Sequence, residues 1–376
     1  MKSLYKKYRD QLLLVFLVIF SSIILWLPFF KQNVIPAVHL KGTDTGYIYR
    51  HYDGPLYIIA AKSFYDPNIL RALKIETPLP DKYYAAHLPL YPITIKLLAP
   101  IMGYLKAMIV STLLATILLV LVFYELLRRF KLSDKPFVLS CVFLFLSRFL
   151  VIRGIGAPEP LFMLCVLISL FSFEKKQYLL AGIFGGLATM TKLPGILLFP
   201  AYGLVLVESY MKTKKISPRS VLLLLIPAGL LAVCLIYQLQ YHDFFAYWHT
   251  GYVVPMPYPF AAFDHTARWV GTAWLEEVVF YFFVYSLTVV YLKDSKYRSF
   301  YYFSLVFLLG LVFVQHRDIS RYSLPLWPLA CIAFEKFLTS RKVTIVLLLL
   351  LPAIYLYAWN FMQTNVMPVA NWAPFM

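Results

Sequence analysis

The chain has 376 residues, 61% of them hydrophobic and only 14% charged, with a mean hydropathy of +0.72. That leaves too little polar surface to cover a core of this size in water, which excludes an ordinary soluble globular domain. A net charge of +17 would suggest nucleic acid in a soluble protein, but here the basic residues punctuate apolar runs and no nucleic-acid partner is expected.

Runs long enough to cross hydrocarbon recur along the whole chain. It reads as all-α, a single polytopic membrane domain over 1–376 with about 11 transmembrane helices. The expected spans are 11–30, 106–127, 136–152, 160–173, 178–190, 195–210, 220–238, 269–292, 299–315, 322–338 and 343–360. No small-residue cleavage site follows the first, so it reads as a retained anchor. A cytoplasmic N-terminus puts the main basic groups inside: Arg128, Arg129, Lys131 and Lys135, then Lys212, Lys214, Lys215 and Arg219, then Lys293, Lys296 and Arg298. The expected location is the cell membrane, with the site facing outward.

The first outside loop then runs from 31 to 105. If LPLYPITIKLLAPIMG (88–103) crossed the membrane, LLRRFKLSDK (126–135) would face outward against the charge rule. Pro89, Pro92 and Pro100 also oppose a regular span, so 88–103 reads as an interfacial helix. A loop this long must contain further helices, and 54–65 fits one. The loop carries GTDTGYIYRHYDGPLYIIAAKSFYD (42–66), with Asp44 and Asp53 close together and Arg50 and His51 between them. Carboxylates at a membrane surface suit acid–base chemistry. An acid ahead of Gly54-Pro55 equally suits a helix cap.

Farther on, IRGIGAPEPLF (152–162) sets Glu159 between two prolines, with Arg153 as a partner for it. It is either a cap or a group facing the same outer cavity. Lys192 sits in the turn of ATMTKLPGILLFP (188–200), where an anionic ligand or plain snorkelling would explain it. A second large outside loop, 239–268, contains HDFFAYWHTG (242–251), with Asp243 and His249 among aromatic rings. Such rings suit sugar stacking or a bilayer interface. QHRDISRYSLPLWP (315–328) gathers His316, Arg317, Asp318, Arg321 and Tyr322. Two guanidinium groups there could clamp a phosphate, or pair locally with Asp318. Cys141, Cys165, Cys234 and Cys331 fall in spans without metal-ligand spacing and read as core thiols. There is no Gly-rich phosphate loop, HExxH or nucleophile elbow, which disfavours a nucleotide-activated donor.

In order along the chain, YDGPLYIIAAK, HLPLYPITIKL, PEPLFML, AGIFGGLATMTKLPGILLFP, HDFFAYWHTG and RYSLPLWP resemble the landmarks of a known group. This is the integral-membrane mannosyltransferases related to the enzyme that adds the second mannose to GPI anchors, within the GT-C superfold. The resemblance covers about 42–328. Three positions depart from it: Tyr52 stands for Trp, Pro160 for Ser and Lys192 for Arg. The resemblance implies a polyprenyl- or dolichyl-phosphate sugar donor, used on the non-cytoplasmic side, and points to Asp53 for catalysis.

The resulting expectation is an inverting glycosyltransferase. Asp53, or else Asp44, is the general base. Glu159, Lys192, Arg317, Arg321, Tyr322, His87 and Asp243 bind substrate, the cations stabilising the departing phosphate. The partners expected are the lipid-linked donor, a lipid, glycan or protein acceptor, and membrane lipids. No cofactor is implied, and a divalent metal is left open. The rival reading is a transporter or flippase of lipid-linked sugars, which would place charges at the midplane and show internal repeats.

Overall fold

The computed structural model describes residues 2–30, 44–51, 53–75, 79–250, 255–264 and 275–376, with side chains from residue 8 onward. Tyr52, one of the three departures, and the start of the 269–292 span lie outside the described residues. Within them the fold is all-helical, with no strand and two isolated antiparallel bridges. The chain forms two compact units, Met1–Leu164 with Glu335–Met376, and Cys165–Phe334.

The first unit opens with α1 (Lys2–Phe30). The short helices α2 (Gly46–Tyr49), α3 (Gly54–Ser63) and α4 (Pro67–Ala72) and the longer α5 (Leu90–Met102) come next. Then come α6 (Tyr104–Arg129), α7 (Pro136–Leu144), α8 (Ser147–Ile152) and the head of α9 (Glu159–Glu174). The second unit holds the rest of α9, α10 (Tyr178–Thr191), α11 (Leu198–Thr213), α12 (Leu225–Tyr241), α13 (Ala246–His249), α14 (Glu276–Leu292), α15 (Arg298–Val312), α16 (Ile319–Tyr322) and α17 (Trp327–Ala333). The chain ends in the first unit with α18 (Glu335–Leu338) and α19 (Arg341–Thr364).

Among the described residues, five helical stretches are long and apolar enough to cross a membrane: Tyr8–Phe30, Tyr104–Arg129, Leu193–Thr213, Pro218–Tyr241 and Arg341–Thr364. Two of the expected spans are broken instead. Segment 136–152 divides into α7 and α8, because Leu146 adopts an extended ψ of 126°. Segment 322–338 divides where Pro325 and Pro328 remove backbone donors. At 13 residues, α5 is about 20 Å long, short of the roughly 30 Å hydrocarbon core. Leu97 and Ile101 on it are 71% and 79% exposed, which suits an apolar surface.

Polar bonds join the helices of the first unit. Tyr355 and Trp359, one turn apart on α19, donate to the carbonyls of Ser21 and Leu25 on α1 at 3.1 and 3.0 Å. Trp26 donates to the Gly154 carbonyl at 2.6 Å. Between apolar helices in lipid, such bonds and close packing replace the hydrophobic drive. The second unit uses close packing. A Cβ on Gly186 would lie 2.6 Å from the Leu225 carbonyl oxygen, and one on Gly229 would lie 2.5 Å from that of Gly186, so α10 and α12 meet backbone to backbone.

Candidate active site

The first unit brings three of the expected residues onto one scaffold. Gly54 and Pro55 start α3, with Pro in the first turn where its missing donor costs nothing. Asp53 precedes them with φ −88° and ψ −14°, already helical. Its carbonyl accepts from the amides of Leu56 and Tyr57 at 3.1 and 3.2 Å. Its carboxylate makes no capping bond to α3, so the side-chain cap expected as the alternative is not formed. Asp44 is different. It is exposed, and its carboxylate accepts the Gly46 amide at 2.7 Å in a local turn.

Tyr57 lies one turn beyond Asp53, on the same side of α3. Its ring meets His87 edge-on, with centroids 4.7 Å apart, and Tyr91 likewise at 5.0 Å. His87 is buried, and its carbonyl accepts the Tyr65 hydroxyl at 2.5 Å. The Tyr91 hydroxyl lies 2.7 Å from that of Thr112, which in turn exchanges bonds with the backbone of Ala157, accepting from its amide at 3.2 Å and donating to its carbonyl at 3.1 Å. Glu159, two residues farther on, is 1% exposed at the head of α9. Burial, and the carboxylate of Glu159 nearby, push the Tyr91 hydroxyl pKa well up.

Met108 on α6 fixes the spacing. A Cβ on Gly156 would lie 2.3 Å from the Met108 sulfur, and one on Gly54 would lie 3.2 Å from the same sulfur and 3.0 Å from the Tyr49 carbonyl oxygen. The Asp53 turn and the Glu159 turn therefore pack on the same thioether. Contacts through Tyr57, Tyr91 and Met108 thus link the segments that carry Asp53, His87 and Glu159.

The expected Arg153–Glu159 pair is not made. Arg153 is fully buried and donates to Ser22 and Ser21 of α1 at 3.2 and 2.9 Å, and to the Leu144 carbonyl at 3.4 Å. The hydroxyls of α1 satisfy a buried guanidinium that would otherwise be very costly. Arg148, on α8, is also buried. Its guanidinium lies 4.0 Å from the centre of the Phe361 ring, and the His51 ring packs 5.6 Å from the same phenyl group.

The second unit assembles the basic group. Lys192 leaves α10 in an extended conformation, φ −148° and ψ 135°. The following turn folds back so tightly that a Cβ on Gly195 would lie 2.5 Å from the Ala188 carbonyl carbon. The Lys192 ammonium then sits 5.7 Å from the centre of the Tyr322 ring. His316 packs edge-on to Tyr322 at 5.1 Å, and its Nδ1 accepts the Asp318 amide at 2.9 Å, which leaves the proton on Nε2 in the neutral ring. Arg321 is half-buried beside them in sequence, and Arg317 is exposed. The Gln315 amide donates to Asp264 at 3.0 Å, and the backbone around Pro255 bridges to Val314, which holds this segment in place. Asp243 makes a separate pair: its carboxylate lies 2.8 Å from His249 Nδ1 and also accepts the Phe245 amide at 3.1 Å.

Among the described residues, no group of three or more His, Cys, Asp or Glu is arranged to hold a metal ion. The four cysteines are unbridged, three of them buried and Cys141 half-buried.

No protein-family model matches the chain, and no curated protein matches its sequence. Solved structures do match. One is the archaeal oligosaccharyltransferase AglB from Archaeoglobus fulgidus, in complex with an inhibitory peptide and a dolichol-phosphate, at 13% identity and a TM-score of 0.58. Another is the oligosaccharyltransferase of the same organism, tethered to an acceptor peptide containing the NVT sequon by a disulfide bond, at 14% identity and a TM-score of 0.54. Each alignment covers 98% of this chain and 57% of the other. The likeness is one of fold, and it agrees with the GT-C architecture that the sequence landmarks imply.

Proposed function

We propose that the chain is a membrane glycosyltransferase that moves a sugar from a polyprenyl- or dolichyl-phosphate carrier to an acceptor hydroxyl on the non-cytoplasmic side. The observation that supports this most is that contacts through Tyr57, Tyr91 and Met108 link the segments carrying Asp53, His87 and Glu159 within the first unit. A transferase needs a base at that point, and a channel or anchor does not. The fold shared with an enzyme seen with dolichol-phosphate supports a lipid-linked donor. Mannose is the sugar that the sequence resemblance implies.

In this reading Asp53 accepts the proton of the acceptor hydroxyl as its oxygen attacks the anomeric carbon. The bond from that carbon to the carrier phosphate breaks, and the electron pair leaves on the phosphate. A single displacement inverts the anomeric centre. Phosphate is a good leaving group, so no general acid is required. Glu159 and His87 orient sugar hydroxyls. Phosphate binding is the role proposed for Lys192, Arg317, Arg321 and Tyr322.

The test is transfer by purified protein in proteoliposomes, supplied with radiolabelled mannosyl-phospho-polyprenol and a glycan or lipid acceptor. The label is expected on the acceptor. Label that crosses the bilayer still on its carrier would instead make the protein a transporter.

A further inference from the structure

The second unit has a basic edge that sugar transfer leaves without a role. Two bonds gather three turns there. Glu174, at the end of α9, accepts the Ser299 amide at the head of α15 at 2.8 Å. Glu208, near the end of α11, accepts from Arg298 at 2.8 Å and from Lys212 at 2.6 Å. The turns 174–177, 212–219 and 293–298 therefore meet at one end of the unit, and these two carboxylates are engaged in joining them.

What that end exposes is mainly cationic. Lys175 and Lys176, Lys214 and Lys215, and Lys293 and Lys296 are all exposed, with Asp294 the acid among them. Three of the ammonium groups lie over aromatic rings: Lys175 over Phe171 at 4.4 Å, Lys214 over Tyr210 at 5.6 Å and Lys296 over Tyr297 at 4.9 Å. Beside this layer is an exposed apolar one, with Tyr210 47%, Met211 69%, Ile216 51% and Tyr291 63% exposed.

A cationic layer on an apolar layer, with amphipathic rings between, matches a ligand that is itself an anion joined to hydrocarbon. We propose that this end of the second unit is a binding surface for anionic phospholipid, the headgroup phosphate on the lysines and the acyl chains along Tyr210, Met211, Ile216 and Tyr291. The proposal does not depend on the catalytic reading.

The experiment follows thermal unfolding of the full chain in a neutral detergent, titrated with phosphatidylglycerol, phosphatidylcholine or inorganic phosphate. Phosphatidylglycerol should raise the melting temperature, and added salt should diminish the effect. Phosphatidylcholine and inorganic phosphate should leave it in place. One basic residue at a membrane surface corresponds to about fivefold in affinity. The triple variant Lys175→Gln/Lys214→Gln/Lys296→Gln should therefore bind phosphatidylglycerol at least roughly tenfold more weakly. The matching triple Lys→Arg variant keeps the charges and should bind as the wild type does, which separates lost charge from lost folding. An equal response to the two lipids would overturn the proposal. So would a response to phosphate alone, or wild-type phosphatidylglycerol affinity in the Gln variant.

Discussion

The edge of the Tyr57 ring meets the His87 ring with centroids 4.7 Å apart and planes at 82°. This contact ties α3, which begins at Asp53, to the segment that leads into α5. The two residues are far apart in sequence: Tyr57 sits in α3, which follows Asp53, and His87 lies in the non-helical segment ahead of α5, which carries Tyr91. Tyr57→Phe keeps the ring and should retain most sugar transfer. Tyr57→Ala removes it, and large-to-Ala changes in a core cost about 3–5 kcal/mol. Melting temperature and kcat should fall together in the Ala variant, measured on the same preparation.

Asp44 and Asp53 are separated by their surroundings. The Asp44 carboxylate accepts the Gly46 amide in an exposed turn, and an Asn side-chain oxygen can accept the same bond. Asp44→Asn should therefore keep near wild-type turnover. A large loss of kcat in that variant would move the base from Asp53 to Asp44.

Arg321 is half-buried in the segment that also holds His316 and Tyr322. A guanidinium can grip phosphate with two parallel bonds, whereas an ammonium acts as a point charge. Arg321→Ala should raise the donor KM by the loss of one charge-assisted contact, about 1.5–3 kcal/mol. Arg321→Lys should recover part of it. Unchanged donor saturation in a folded Ala variant would place the phosphate elsewhere.

Two glycines should respond with opposite signs. A Cβ at Gly186 would press on the Leu225 backbone, which cannot rotate away, whereas Gly203 on α11 has nothing within 4 Å. Gly186→Ala should destabilise the protein by about 1–3 kcal/mol. Gly203→Ala should stabilise its helix by up to about 1 kcal/mol. Thermal unfolding in detergent reads both.

Much of this was legible in the residues, because hydrophobic length and proline position are local signals. Pro325 and Pro328 mark the break after Tyr322, whereas Pro92 and Pro100 do not interrupt α5, which is a continuous helix of 13 residues. The Asp53–Tyr57 spacing is i, i+4 and lies on one side of α3, whereas His87 falls in the non-helical segment ahead of α5, so its contact with Tyr57 has no local signature. The break at Phe145 and Leu146 carries no such mark, since both are ordinary apolar residues. The partners of Arg153, Ser22 and Ser21, lie 131 and 132 positions away, where no local pattern points to them. The role of Met108, filling the space beside Gly54 and Gly156 at once, is equally invisible before the chain is folded.

The central claim is that the Asp53 carboxylate takes the acceptor proton. Asp53→Asn preserves size and most hydrogen bonding and removes the base. Its transfer rate from radiolabelled mannosyl-phospho-polyprenol should be compared with wild type in the same proteoliposomes, alongside the melting temperature of each. The account predicts a fall in kcat of about 10²-fold or more with the melting temperature unchanged. Turnover close to wild type in the Asn variant would contradict it.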